Sequence, residues 1–116
     1  MTELRSVYAQ ETSGSMDREK AIGLLQEQLG KIMKLSHESA EGYGFRKWLV
    51  DTEIVIGQVF GHHSSNMREF NSINYTFPYG AEDQSDEMKD RQFKRGLERT
   101  AMVLRAMIEE VQRSWT

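Results

Sequence analysis

The sequence predicts an all-α fold, a small helical bundle closed by one long C-terminal helix. Three observations predict it. Apolar residues recur at spacings of three and four through most of the chain. A single proline interrupts 116 residues. From about Asp86 to Trp115 one apolar stripe continues without a break. A chain of this length has room for one core, so the expected organisation is an N-terminal arm, residues 1–14, and a single helical domain, residues 15–116.

The arm carries only three scattered large apolar groups, Leu4, Val7 and Tyr8. The first helix is expected to begin at Ser15 as N-cap, with Asp17 and Glu19 near the positive end of its dipole. Ala21, Ile22, Leu25, Leu29, Ile32 and Met33 share one face, and Lys31 and Lys34 suit the last turn. Gly23 and Gly30 lie a heptad apart on the opposite face. They are either tolerated surface glycines or sites of close approach, each costing about 1 kcal/mol relative to alanine.

Ser36 to Gly44 reads as a loop. A second helix follows from about Phe45 to Phe60, closed by Gly61. Its main apolar face is Phe45, Trp48, Leu49, Thr52, Val55, Ile56, Val59 and Phe60. Val50 and Ile54 point the other way, which predicts burial on two sides. A short helix is expected over about Asn66 to Ile73, capped by Ser64 or Ser65. Ile73, Tyr75, Phe77 and Tyr79 then alternate with polar residues or proline as an extended segment. The last helix, about Asp86 to Trp115, spans roughly 45 Å at 1.5 Å per residue. Phe93, Leu97, Thr100, Leu104, Met107, Ile108, Val111 and Trp115 form its stripe. A helix of that length overhangs so small a globule. Together with the Val50 and Ile54 patch, this predicts a homo-oligomer.

Composition narrows the function. There is no cysteine, which excludes disulfide frameworks, thiolate metal sites and thiol nucleophiles. The net charge of −3 argues against duplex nucleic acid, whose binding rewards a strongly basic surface. The apolar runs are too short for a membrane span or a signal peptide, so a soluble, cytoplasmic protein is expected. The seven methionines are expected to fill the helical core.

No reaction centre assembles from the motifs. His62-His63 is an adjacent pair with divergent side chains, and His37 stands alone, so neither a metal nor any other cofactor is expected. There is no phosphate loop or dinucleotide fingerprint, and Ser64-Ser65 lacks the setting of a hydrolase nucleophile. Glu109-Glu110 amid Arg105 and Arg113 reads as solvated helix ion pairs. An enzyme is not expected. Arg91, Arg95 and Arg99 recur every four residues opposite the apolar stripe. They form either a solvated face or an anion clamp, since guanidinium donors match phosphate oxygens bidentately. His62, His63, Arg68, Tyr75 and Tyr79 lie in or beside the loops and complete a candidate ligand-binding set. Aromatic planes beside arginines suit a nucleobase and its phosphate.

The pattern Phe45-x-x-Trp48-x-x-x-Thr52, then Val59-Phe60-Gly61-x-x-Ser64, Glu69-Phe70-x-x-Ile73 and Gly96-Leu97-x-x-x-Ala101-x-x-Leu104-x-x-Met107-Ile108 resembles a helical segment of bacterial antiphage-defence proteins. In those proteins the segment precedes a TIR-like nucleotide-binding effector domain. The resemblance covers roughly residues 45–111, with Phe60-Gly61-x-x-Ser64 its most distinctive turn. No effector domain follows before Thr116. The resemblance therefore implies a regulator of such systems, or a viral sponge that soaks up their nucleotide signal. Two functional readings stand side by side. One is a non-enzymatic protein of the phage–bacterium conflict that sequesters or senses a (cyclic) nucleotide immune signal at a subunit interface. The other is a helical oligomerisation or protein-interaction module with no small-molecule ligand.

Overall fold

The computed structural model describes residues 16–76 and 85–115. The arm, residue 15, the segment from Phe77 to Gln84 and Thr116 lie outside that range. Among the described residues the chain is all-helical: α1 (Arg18–Gly30), α2 (Ile32–Leu35), α3 (Tyr43–Phe60), α4 (Ser65–Asn71) and the long α5 (Asp86–Ser114). α1 packs against both α3 and α5, and α4 bridges α3 to α5. None of these helices is long and apolar enough to cross a membrane.

All the helices except the single-turn α2 start where a side chain satisfies a free backbone N–H. In α1 that side chain is Asp17, whose Oδ1 accepts from the Lys20 amide at 2.8 Å. The expected Ser15 cap is therefore displaced by two residues. The expected single first helix is also broken. At Lys31 the amide donates back to the Gln28 carbonyl at 3.3 Å, a tightened turn, and the chain re-enters helix at Ile32. The break resets the helical phase. Ile32 and Leu35 turn inward, whereas Met33, expected on the core face, is 82% exposed.

At the start of α3 the cap residue is Gly42, which has no side chain to offer. Glu38 reaches across from the preceding loop, and its Oε1 accepts from the Phe45 amide at 3.1 Å. A Cβ at Gly44 would collide with that carboxylate, so the glycine makes room for the cap. α3 ends at Gly61, whose φ of 101° suits glycine and whose amide reaches the Gly57 carbonyl at 2.9 Å. Ser64 starts α4 with a two-way contact. Its Oγ accepts from the Met67 amide at 3.1 Å and donates to the Gly61 carbonyl at 2.8 Å. Ser85 caps α5 by accepting from the Met88 amide at 3.1 Å.

The core is a continuous apolar cluster with Leu25, Ile56, Leu104, Met107 and Val111 fully buried at its centre. Three buried polar residues are fitted into it, and all are hydrogen-bonded. Gln28 of α1 joins α3 twice. Its carbonyl accepts from Trp48 Nε1 at 3.0 Å, and its Oε1 accepts from the Thr52 hydroxyl at 3.1 Å. The hydroxyl of Thr100 on α5 donates to the Gly96 carbonyl at 2.9 Å. Phe45 sits edge-on against Tyr75 and Phe93, with ring centres 4.8 and 4.9 Å away. Two further expectations change. Val50 and Ile54 are half exposed, so this chain buries α3 mainly on one side. Met88 and Met102 join Met33 outside, so the methionines divide between core and surface.

Candidate functional site

Two features on α5 are candidates: the arginine row and the apolar face beside it. α4 and the residues after it run antiparallel to α5. Asn66 contacts Glu110 at 3.0 Å, Glu69 approaches Arg99 at 3.8 Å, and the Asn74 carbonyl accepts from Gln92 Nε2 at 3.2 Å. His62 and His63 therefore lie towards the C-terminal end of α5, while Arg91 and Arg95 lie towards its start. Fifteen residues of helix, about 22 Å, separate the levels of Arg95 and Glu110.

The row itself is only partly free. Arg91 pairs with Glu87 at 2.9 Å, and Arg99 has Glu69 at its side. Arg95 has no ion pair among the described residues. Arg95 and Arg99 line one open groove of about 300 Å³ with Ser72, Asn74 and Gln92. Its floor requires Gly96, because a Cβ there would lie 2.6 Å from the Tyr75 ring and 2.7 Å from the Asn74 carbonyl oxygen. A neighbouring hollow of about 330 Å³ is lined by four carboxylates, Glu38, Glu41, Asp86 and Asp90, against one cation, Lys89, and suits an anion poorly.

The other candidate ligand residues go elsewhere. Tyr75 is turned into the bundle, its hydroxyl 2.6 Å from Thr100 Oγ1. Burial raises its pKa above the usual tyrosine value, and the Thr100 hydrogen bond pulls against that. Its ring makes an edge contact with Phe45 and lies against Gly96, and it remains partly exposed. Arg68 donates to the His63 carbonyl at 2.8 Å, which ties down the loop between α3 and α4. His62 packs on Gly57, where a Cβ would come within 2.6 Å of its ring. Tyr79 lies outside the described residues. The structure thus brings Arg95 and Arg99 together, with Tyr75 beside them against Gly96, and leaves the histidines and Arg68 apart.

The second feature is a cleft of about 590 Å³ between α2 and α5. Ile32, Leu97 and Ala101 form its floor. Met33 and Met102, 82% and 59% exposed, stand at its lips. His37 and the charged side chains of Lys94, Glu98 and Arg105 form its rim. Met33 and Met102 were both expected in the core with the other methionines. The signal available was that Met102 lies two positions from the nearest stripe residues, Thr100 and Leu104. The ion pairs expected of Arg105 and Arg113 with Glu109 and Glu110 do not form within 4 Å among the described residues, so the Arg105 guanidinium has no carboxylate partner there. On α3, Lys47 donates to Asp51 at 2.7 Å, a contact that raises the pKa of its ammonium, beside the exposed Val50 and Ile54.

No protein-family model matches the chain, and neither a curated protein nor a solved structure is significantly similar to it.

Proposed function

We propose that this chain is a non-enzymatic helical assembly module that self-associates by covering the apolar cleft between α2 and α5. The observation that carries the reading is the pair of exposed methionines, Met33 and Met102, at the lips of a 590 Å³ hollow with an apolar floor. A contiguous apolar surface rimmed by polar groups marks an association site, and methionine adapts its shape to a docking helix. The resemblance of residues 45–111 to helical segments that accompany TIR-like effectors supports a setting in phage–bacterium conflict. Light scattering over a concentration series tests the reading. The parent protein is expected to exceed the mass of one chain at tens of micromolar. Met33→Glu and Met102→Asp should reduce that mass while circular dichroism stays helical. A single-chain mass for the parent would sink it.

A second reading has one observation in its favour, Arg95, without an ion pair among the described residues, beside Arg99 in an open polar groove. That pair suits the phosphates of a nucleotide signal, with the base held by a neighbouring subunit. Calorimetry with mono-, di- and cyclic nucleotides tests it. Arg95→Ala should weaken binding by about 1.5–3 kcal/mol, the range for a hydrogen bond to a charged group. Absence of binding by the parent protein would end this reading and leave the assembly module intact.

A further inference from the structure

We infer that the occupant of the α2/α5 cleft is a second copy of this chain, docked through α5 in antiparallel register about a two-fold axis between Ala101 and Met102. This rests on the assembly reading and adds to it the partner and the register. The charge order along the helix carries it. Lys94, Glu98, Met102, Arg105 and Glu109 are all exposed and follow one another at helical spacings of four, four, three and four. They form one stripe beside the buried face.

The stripe is self-complementary only when reversed. Measured from the midpoint between Ala101 and Met102, Glu98 lies as far to one side as Arg105 lies to the other, and Lys94 mirrors Glu109. An antiparallel copy therefore sets Glu98 against Arg105 and Lys94 against Glu109. The two-fold repeats each pair, and Met102 meets Ala101 at the centre. A parallel copy in register would place like charges face to face, which costs affinity.

Within one chain these charges are available. Glu98, Arg105 and Glu109 have no ion pair among the described residues. Among the described residues Lys94 pairs with the solvent-exposed Asp90 at 3.0 Å, a weak contact that a partner carboxylate can replace. The apolar part of the contact already faces outward in the free chain, with Met33 of α2 flanking Met102. From Lys94 to Glu109 the stripe runs about 22 Å. That is a small contact, and it implies a reversible, concentration-dependent dimer rather than a permanent one.

Sedimentation equilibrium at low ionic strength on the full chain tests this, with circular dichroism checking that every variant stays folded. Glu98→Arg alone, or Arg105→Glu alone, is expected to raise the dimer dissociation constant by at least about tenfold, because each sets like charges against each other twice. The combined variant should recover to within about threefold of the parent. In a chain without cysteine, Met102→Cys should give a disulfide-linked dimer on mild oxidation, and Ile54→Cys on α3 should not. A monomeric parent overturns the inference together with the assembly reading. A parent that assembles, but ignores the single charge reversals or is not rescued by the double one, overturns the antiparallel α5 register alone.

Discussion

Leu104 and Met102 sit two residues apart on α5 and face opposite worlds. Leu104 is fully buried in the apolar core, where every buried side-chain nitrogen and oxygen among the described residues has a partner. Met102 stands in solvent at the lip of a cleft whose Glu98 and Arg105 have no ion pair among the described residues. The inner side of the helix is a finished core. The outer side is open, with exposed methionines beside charged side chains. Buried polar groups carry a full desolvation cost if left unpaired, so the inner side has to be complete within one chain. Exposed charges carry no such cost, and the outer side can wait for a partner.

The sharpest way to break this comparison is to truncate both sides. Leu104→Ala should cost about 2–5 kcal/mol, the range for deleting a buried leucine side chain. Thermal or urea unfolding measures it. Met102→Ala should stay within about 0.5 kcal/mol in dilute solution, as exposed substitutions do. A large loss for Met102→Ala at a concentration where the protein is monomeric would erase the distinction.

The next effect concerns the polar junction of α1 with α3. Gln28→Leu leaves the Thr52 hydroxyl without its acceptor and should cost about 1–3 kcal/mol. Thr52→Val in the same chain should return part of that loss, since removing both partners is cheaper than orphaning one. An additive double mutant would mean the two side chains do not interact.

Glycine substitutions sharpen the comparison further. At Gly96 a Cβ would press on the Asn74 carbonyl and the Tyr75 ring, so Gly96→Ala should destabilise by about 1–3 kcal/mol despite better helix propensity. At Gly23 nothing lies within 4 Å, so the same change should stabilise by about 1 kcal/mol. Calorimetric melting separates the two signs.

The smallest effect is one of pH. Burial raises the folded-state pKa of Tyr75 above the ordinary tyrosine value, near 10. Between the unfolded and folded values the native chain holds the proton that the unfolded chain has released, so stability falls as pH rises there. The contribution is complete below about pH 10 and is lost as pH climbs through the folded value. Tyr75→Phe should therefore flatten the alkaline decline of the melting temperature relative to the parent, while losing the bond to Thr100 at neutral pH.

Much of the architecture was legible from residue order. The 3.6-residue period placed α3 and α5 within two residues of their ends, and Gly61 and Ser64 marked the turn between α3 and α4. The break at Lys31 was not legible, because Gly30 and Lys31 are compatible with either a continuing helix or a tightened turn. Nor was the cap of α3, which depends on Glu38 folding back across seven residues. For the candidate site, a period of four told of the arginine row but not of which arginines had carboxylate neighbours. Glu87 is local to Arg91 along the helix, whereas Glu69 reaches Arg99 from a different helix.

The sequence alone determined that this chain is helical, that its longest helix is the last, and which stripe of that helix faces inward. Those properties follow from local periodicity, where neighbours three and four residues apart share a face. Tertiary structure decided the rest. Packing turned Tyr75 inward to Thr100, buried Gln28 between two helices, and left Met33 and Met102 together on the outside. Each of those outcomes depends on contact between residues at least twenty positions apart, and side-chain periodicity along a single helix carries no information about which distant surface will come to meet it.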